Sequence, residues 1–455
     1  MSSEAASRRR ALSGWGRTVP TGADVVLPAV GDDVSRALAA AGPRGIIARG
    51  LGRSYGDAAQ NAGGAVVDMT SLDCAVAADW ETGVVEVDAG LGLDKLMELV
   101  IPHGWFPPVL PGTRNVTVGG AIAADIHGKN HHVDGSFCDH VVSFDLLAPS
   151  GTYTGVSAAT NPEVFWATAG GMGLTGIVTR AVLQLVPVET AYMTVATRRI
   201  PHLDELMETM EATDAGHRYA VAWFDSLATG ANLGRGILMH AEHTRLDDLE
   251  PARRHEPLDY SAPERVQVPP LPVGVVNRFS IGAFNWAWYT KSPRNPRTAV
   301  ESVPAYFHPL DGVTDWNRLY GPRGFLQYQF VVPFGAEATV RYAVERLAHG
   351  GAASPVTVLK RFGRANAGML SFPMEGWTLT LDIPTRTRGL AAMLDELDQH
   401  VLAAGGRIYL AKDSRVDPDV FAAMYPELDR WREVRAKLDP DGVMRSDLAR
   451  RLRLV

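Results

Sequence analysis

The sequence predicts an α+β protein of two domains, and three observations carry that prediction. At 455 residues the chain exceeds what one hydrophobic core ordinarily supports. Over 1–190, short strand-like runs alternate with glycine-rich turns and a few helices. Over 191–405, strands and helices mix in a second pattern, and 406–455 forms a closing segment.

Taken in order, Ile46-Ile47-Ala48 reads as a strand leading into one glycine-rich turn, and Val116-Thr117-Val118 as a β-type stretch inside another. Val84-Val85-Glu86-Val87-Asp88 alternates with period two, while 93–100 spaces its apolar residues as a helix does. A strand over 177–186 is closed by Pro187. Strands are then expected at 193–198, 220–224, 236–241, 326–332, 356–361 and 378–383, with helices at 203–213 and 336–349. The closing segment holds a short strand at 408–411 and helices at 418–424 and 428–437.

The stretch 246–300 is the least regular. Pro251, Pro257, Pro263, Pro269, Pro270 and Pro272 accompany an aromatic patch of Phe279, Phe284, Trp286, Trp288 and Tyr289, flanked by Arg278, Lys291, Arg294 and Arg297. It reads either as a mobile loop that caps a site and touches a membrane, or as aromatics packed into the second domain.

Composition excludes several classes. With 46% hydrophobic and 21% charged residues, the chain is neither disordered nor collagen-like. A net charge of −7 leaves no basic surplus for nucleic acid. Cys74 and Cys138 are too few for a disulfide scaffold or a zinc knuckle, and they leave the compartment open. No run of about eighteen apolar residues occurs, so no segment is expected to span a bilayer. Arg8-Arg9-Arg10 invites a twin-arginine export reading, but the residues after it break too early for an apolar signal core. A frayed basic tail is expected there instead.

The chemistry begins with two glycine-rich segments. The first is Arg49-Gly50-Leu51-Gly52-Arg53-Ser54-Tyr55-Gly56-Asp57, and the second runs Pro111-Gly112-Thr113-Arg114-Asn115-Val116-Thr117-Val118-Gly119-Gly120-Ala121. Glycine lets the backbone turn tightly and approach a ligand closely, and successive free N–H groups in such turns cradle phosphate. Two such nests point to a dinucleotide held at its pyrophosphate and along its ring system. The first segment has the wrong last spacing for a G-x-G-x-x-G fingerprint and lacks the Gly-Lys-Ser/Thr of a P-loop.

These residues carry a resemblance. The first segment resembles the pyrophosphate loop of FAD flavoproteins of the vanillyl-alcohol-oxidase/p-cresol-methylhydroxylase type. The second, continued through Ala123-Ala124-Asp125-Ile126-His127-Gly128-Lys129-Asn130-His131-His132, resembles that superfamily's isoalloxazine-contacting stretch. Ala169-Gly170-Gly171-Met172-Gly173-Leu174-Thr175-Gly176-Ile177 is similar to its last FAD loop. Phe325–Pro333, Val358–Gly363 and Ala411–Arg415 extend the similarity to the family acting on the 2′-hydroxyl of decaprenylphosphoryl-β-D-ribose in actinobacterial cell-wall arabinan synthesis.

The resemblance implies a two-domain FAD-binding fold with an α+β substrate domain, and a closing segment that returns to the FAD domain. It implies FAD contacts from Arg49, Gly50, Leu51, Gly52, Arg53, Ser54, Tyr55, Gly56, Pro111, Gly112, Thr113, Thr117, Gly119 and Gly120. Further contacts are implied for Ala123, Ala124, Ile126, His127, Gly128, Asn130, Gly173, Gly176, Ile177 and Tyr409. It also implies a polyprenylphosphoryl sugar as substrate, an NAD-dependent keto-reductase as partner, and a peripheral place at the inner membrane, on either its cytoplasmic or its periplasmic side. A soluble alditol or sugar-lactone oxidase is the alternative within enzymes, and a flavin-free binding module lies outside them.

Oxidising an alcohol needs a base for the hydroxyl proton and a positive group near the reducing ring. Lys412 is implied as the essential lysine, with Tyr55 as the other candidate base and His127 on the flavin or substrate face. Lys129 is expected on the substrate phosphate, and Lys360, Gln327 and Gln329 on ribose or phosphate. Gln327 and Gln329 stand two apart on an expected strand, so both face one side. His127, Lys129, His131 and His132 lack metal-ligand spacing, and no metal is expected. Two departures matter. Arg53 stands where several superfamily members carry the histidine that bonds FAD covalently, which implies non-covalent FAD. Thr380 stands where related mycobacterial enzymes carry a cysteine.

Overall fold

The computed structural model describes residues 7–261 and 266–455, so Pro263 lies outside the described residues. Three short parallel strands open the fold, with Ala65–Asp68 between Thr21–Val26 and Ile46–Arg49. Their continuous apolar runs bury Ile46, Ile47, Val66 and Val67 on both faces, each contributing roughly 1.5–3 kcal/mol of apolar burial. Ser7–Leu12 adds antiparallel at the edge, with Arg8 opposite Val25. Arg8-Arg9-Arg10 is therefore not a frayed tail. It is an exposed edge strand, where charge discourages pairing with another chain.

A second sheet runs in the order Ala75–Asp79, Val84–Asp88, Ile177–Gln184, Val141–Ala148, Gly151–Val156, all antiparallel. The helix Val118–Ala124 packs on Ile177–Gln184. It corrects the β-type reading of 116–118: Thr117 caps the helix by accepting from the Gly120 N–H at 3.1 Å, and Val118 is its first residue.

Among the described residues, the second domain is built on an antiparallel sheet of eight strands. Its order is Arg297–Ser302, Tyr192–Ile200, Gly236–His243, Tyr219–Phe224, Thr357–Phe362, Gly376–Pro384, Phe325–Val332, Arg407–Ile408. Leu390–Ala403 and Glu337–His349 cover one face, where Tyr328 donates to Asp398 and Trp377 to Glu337, each at 3.0 Å. The pleat then turns the alternate residues, Gln327, Gln329, Thr378, Thr380 and Asp382, to the other face. The sheet order places Lys360 beside Thr378, Gln329 opposite Thr380 and Gln327 opposite Asp382.

Two readings from the sequence change here. The strand expected at 408–411 ends at Ile408, because Tyr409 to Asp413 turn back on themselves. The irregular stretch contains a fourteen-residue helix, Arg278–Lys291, whose cap Asn277 accepts from the N–H groups of Phe279 and Ser280. It is neither a loop nor a packed aromatic cluster: Phe279, Phe284, Trp286 and Trp288 are exposed.

The closing segment folds back onto the first sheet. Ile46 donates its N–H to the Val443 carbonyl, and Arg445 donates to the Ile46 carbonyl, both at 2.9 Å. Trp431, fully buried, donates Nε1 to the Ala167 carbonyl at 2.9 Å. Arg451 clamps Asp57, just past the first glycine loop, and Asp413, the neighbour of Lys412.

Candidate active site

The chain ends of the parallel strands, the capped helix and the polar sheet face meet around one cavity. On one side stand Arg49 to Tyr55, Pro111 to Thr113, Thr117, Gly119, Gly120, and Gly173 with Gly176. This side presents mostly backbone. The N–H groups of Leu51, Gly52 and Ser54 donate to no protein acceptor among the described residues, which suits them to an anion. Gly52 and Gly173 hold φ of +66° and +75°, where a side chain costs about 1–2 kcal/mol. A Cβ on Gly112 would meet nothing within 4 Å, so the loop there borders open space. Arg49 braces the first loop by donating to the carbonyls of Ala59 and Ser13. The second loop is held from the other domain: Asp311 accepts from the Thr113 hydroxyl at 2.7 Å and the Arg114 N–H at 2.8 Å.

The opposite side is the polar sheet face, with Lys412 and Tyr409 from the closing segment beside it. Tyr409 donates to the Ala124 carbonyl at 2.9 Å and so ties the two sides together. Lys360 Nζ lies 3.1 Å from both His127 Nδ1 and the Gly128 carbonyl. His127 Nε2 lies 2.9 Å from the Gln329 amide. Lys412 Nζ stands 4.3 Å above the Tyr55 ring, a cation–π contact. Neither Lys360 nor Lys412 meets a carboxylate in an ion pair among the described residues. Behind them, the Gln327 amide donates to Asp382 at 2.6 Å.

Burial sets the protonation states. It lowers the Lys412 amine to about 8, with the Asp382 carboxylate opposing the shift. Lys360 falls to about 7 through burial and then the nearby Lys129 and Lys412 charges. His127 is pushed well below its usual value by burial, then by Lys360, so its ring is neutral. A neutral ring that accepts the Gln329 amide N–H at Nε2 carries its own proton on Nδ1, facing Lys360 and the Gly128 carbonyl. Burial, then the Asp382 charge, holds the Tyr55 phenol far above 10, so it stays protonated. Burial also raises Asp382 to about 7.

Most residues singled out from the sequence border this cavity, including Leu51, Arg53, Ala123, Ala124, Ile126, Gln327, Gln329, Thr380 and Lys360. Five do not. Lys129 points away: its ammonium donates to the Tyr306 carbonyl and lies 3.9 Å over the Tyr306 ring. That position removes it from a phosphate in this cavity. Gly56 is needed for packing, since a Cβ would fall 2.0 Å from the Asp413 carbonyl. Gly128 offers its carbonyl to Lys360, Asn130 binds the Pro108 carbonyl at 2.7 Å, and Ile177 is a buried strand residue. His131 and His132 serve the Gly363 N–H and the carbonyls of Asp214 and His217.

Sequence reasoning missed Asp382, Asp311 and Trp316. Asp382 had a signal: it continues the polar alternation Thr378, Thr380 within an otherwise apolar strand, where a buried acid needs a purpose. Asp311, in Pro-Leu-Asp-Gly, is indistinguishable from a turn residue.

Comparison with known proteins agrees with this geometry. An FAD binding domain model matches residues 23–157, and a D-arabinono-1,4-lactone oxidase model matches residues 379–452. L-gulonolactone oxidase of Mus musculus is 24% identical over 407 residues, 84% of this chain and 83% of that protein. Cytokinin dehydrogenase 2 of Arabidopsis thaliana is 31% identical over 169 residues, 36% of this chain and 33% of that protein. Decaprenylphosphoryl-beta-D-ribose oxidase of Mycolicibacterium smegmatis is 45% identical over 450 residues, 98% of this chain and 97% of that protein. The cofactor is FAD, which the unpaired loop N–H groups and the glycine-rich wall fit. With a glycine-built wall that matches the FAD domain and a relative aligned along almost its entire length, the chain belongs to the decaprenylphosphoryl-β-D-ribose oxidase family of FAD-binding flavoproteins.

Proposed function

We propose that this protein oxidises the 2′-hydroxyl of decaprenylphosphoryl-β-D-ribose to the 2′-ketone, the first half of an epimerisation that yields the arabinose donor for cell-wall arabinan. The observation that carries the reading is one cavity shared by the cofactor loops, two amines that form no ion pair and two carboxamides. Bound FAD supplies the acceptor for the hydride equivalent leaving C2′. The loop residues Leu51, Gly52 and Ser54 hold its diphosphate through their N–H groups. FAD is non-covalent, because Arg53 offers no nucleophile where a bonding histidine would stand.

The hydroxyl proton passes to the neutral Lys412 amine, which its lowered affinity for protons makes available near neutral pH. Tyr55, held protonated, keeps Lys412 in place from beneath. Lys360, Gln327 and Gln329 hold the sugar and its phosphate, and neutral His127 orients both Lys360 and Gln329. Residues 1–190, 191–405 and 406–455 act as cofactor domain, substrate domain and returning segment. An NAD-dependent keto-reductase returns the ketone as the other epimer. The protein works peripherally at a membrane, on either its cytoplasmic or its periplasmic face; among the described residues no helix is long and apolar enough to cross one.

A second reading, oxidation of a soluble sugar lactone, draws on the match over residues 379–452. One experiment tests both. Under anaerobic conditions a farnesylphosphoryl ribose analogue is expected to bleach the flavin absorbance, and xylitol or gulonolactone to leave it intact. Bleaching by the free sugars alone would replace the first reading with the second.

A further inference from the structure

The helix Arg278–Lys291 is built inside out. Its buried stripe is thin and partly polar: Ile281 and Asn285 are its buried residues, and Asn285 Nδ2 is spent on Asp225 at 2.7 Å. The large apolar side chains face water instead. Phe279 is 83% exposed and Trp286 61%, seven residues apart on one line of the helix. Phe284 and Trp288, four apart, stack with parallel rings at 6.4 Å. Val273 and Val275, immediately before the helix, are also exposed. The two pairs lie on different lines of the helix, and a monomer rarely leaves this much apolar surface in water without an occupant.

Charge says which occupant. The chain as a whole carries −7, yet from 266 to 300 it holds no Asp or Glu. Arg278, Lys291, Arg294 and Arg297 are its charged residues there, and all are exposed. Aromatics ringed by cations, without one acid, match the headgroup region of an anionic bilayer. Position agrees. Val276 and Ile281 share an apolar cluster with Tyr320, Phe325, Tyr55 and Trp316, and the last two also line the cavity. The helix and the cavity wall are thus one packed unit.

We propose that Arg278–Lys291, with the valines before it and the cations after it, is a docking face for an anionic lipid bilayer. Phe279 and Trp286 enter the acyl boundary, and Arg294 and Arg297 pair with lipid phosphates. The inference deepens the reading above, because a polyprenyl-linked substrate must be met at a bilayer. It stands or falls separately.

The test uses the full-length flavin-loaded protein with vesicles of phosphatidylcholine containing phosphatidylglycerol, and of phosphatidylcholine alone. The protein is expected to float with the anionic vesicles, less so at high salt, with a blue shift of its tryptophan emission. The double variant Phe279→Ser/Trp286→Ser is expected to lose on the order of tenfold or more in partitioning. Arg294→Glu/Arg297→Glu is expected to lose the preference for anionic vesicles. Flavin content and turnover of the short-chain analogue should match the parent in both, which separates docking from misfolding. Failure of the parent to float, or flotation unchanged in the aromatic variant, overturns the proposal. So does a lipid-free dimer that the aromatic variant dissolves, which would give the face to a second copy of the chain. If flotation holds while the parent leaves the short-chain analogue unoxidised, the reaction assigned above fails and the docking face stands.

Discussion

The side of the cavity formed by the loops after Ile46–Arg49 and before Val118–Ala124 meets its ligand with backbone, whereas the side on Phe325–Val332, Thr357–Phe362 and Gly376–Pro384 meets it with buried polar side chains. The first is made by leaving atoms out: glycines with positive φ, unpaired N–H groups, no charge of its own beyond Arg49 and Arg53. The second is made by burying what water would otherwise hold, namely the Lys360 amine, two carboxamides and a carboxyl, with the half-buried Lys412 beside them. A backbone cradle grips a constant group such as a diphosphate, while side chains on rigid strands define the variable half, the substrate and its proton.

That division can be broken in four ways, and the largest effect is expected on the side-chain half. Lys412→Ala should lower turnover by about 10²–10⁴ while flavin absorbance per chain stays that of the parent. Loss of flavin with it would mean that the two sides are not separable. Gly52→Val should do the reverse. Its φ of +66° and the Arg49 guanidinium beside it oppose any side chain. Strain of about 1–2 kcal/mol corresponds to roughly tenfold weaker FAD retention, read as flavin released on gel filtration.

Asp382→Asn sharpens the electrostatics. The carboxylate raises the Lys412 affinity for protons, so its removal should move the acid limb of the kcat/KM profile to lower pH, by up to about one unit. A profile that falls in height without moving would leave Asp382 a packing residue. Smallest of all, Thr380→Cys should keep parental turnover but let a thiol-trapping nitroaromatic form a covalent adduct, visible by mass spectrometry. An unactivated threonine hydroxyl is too weak a nucleophile to do so. An adduct on the parent protein would refute that account.

The two sides also differed in how far the sequence disclosed them. A backbone cradle needs glycine at fixed spacing, and Gly50, Gly52, Gly112, Gly119, Gly120, Gly173 and Gly176 stand out as a pattern. Gln327 and Gln329 were legible too, because the strand period places both on one face. The pairing of Gln327 with Asp382 was not, because it depends on which strands are neighbours, and sheet order is a long-range property. Lys129 misled for a related reason: a lysine inside a cofactor motif promises a ligand contact, but Tyr306, far along the chain, supplies a carbonyl and a ring that capture it. The helix Arg278–Lys291 hid because exposed aromatics and neighbouring prolines obscure the apolar stripe by which a helix is recognised.

Arg451 joins Asp57 to Asp413, so residues nearly four hundred positions apart brace two stretches of chain that border one cavity. During synthesis the glycine loops leave the ribosome long before their clamp exists. The nascent chain holds the whole glycine pattern early, yet the brace on it is absent until the region around position 451 has emerged. The finished cradle therefore depends on closing very distant contacts, which form more slowly than the local turns that carry the motif.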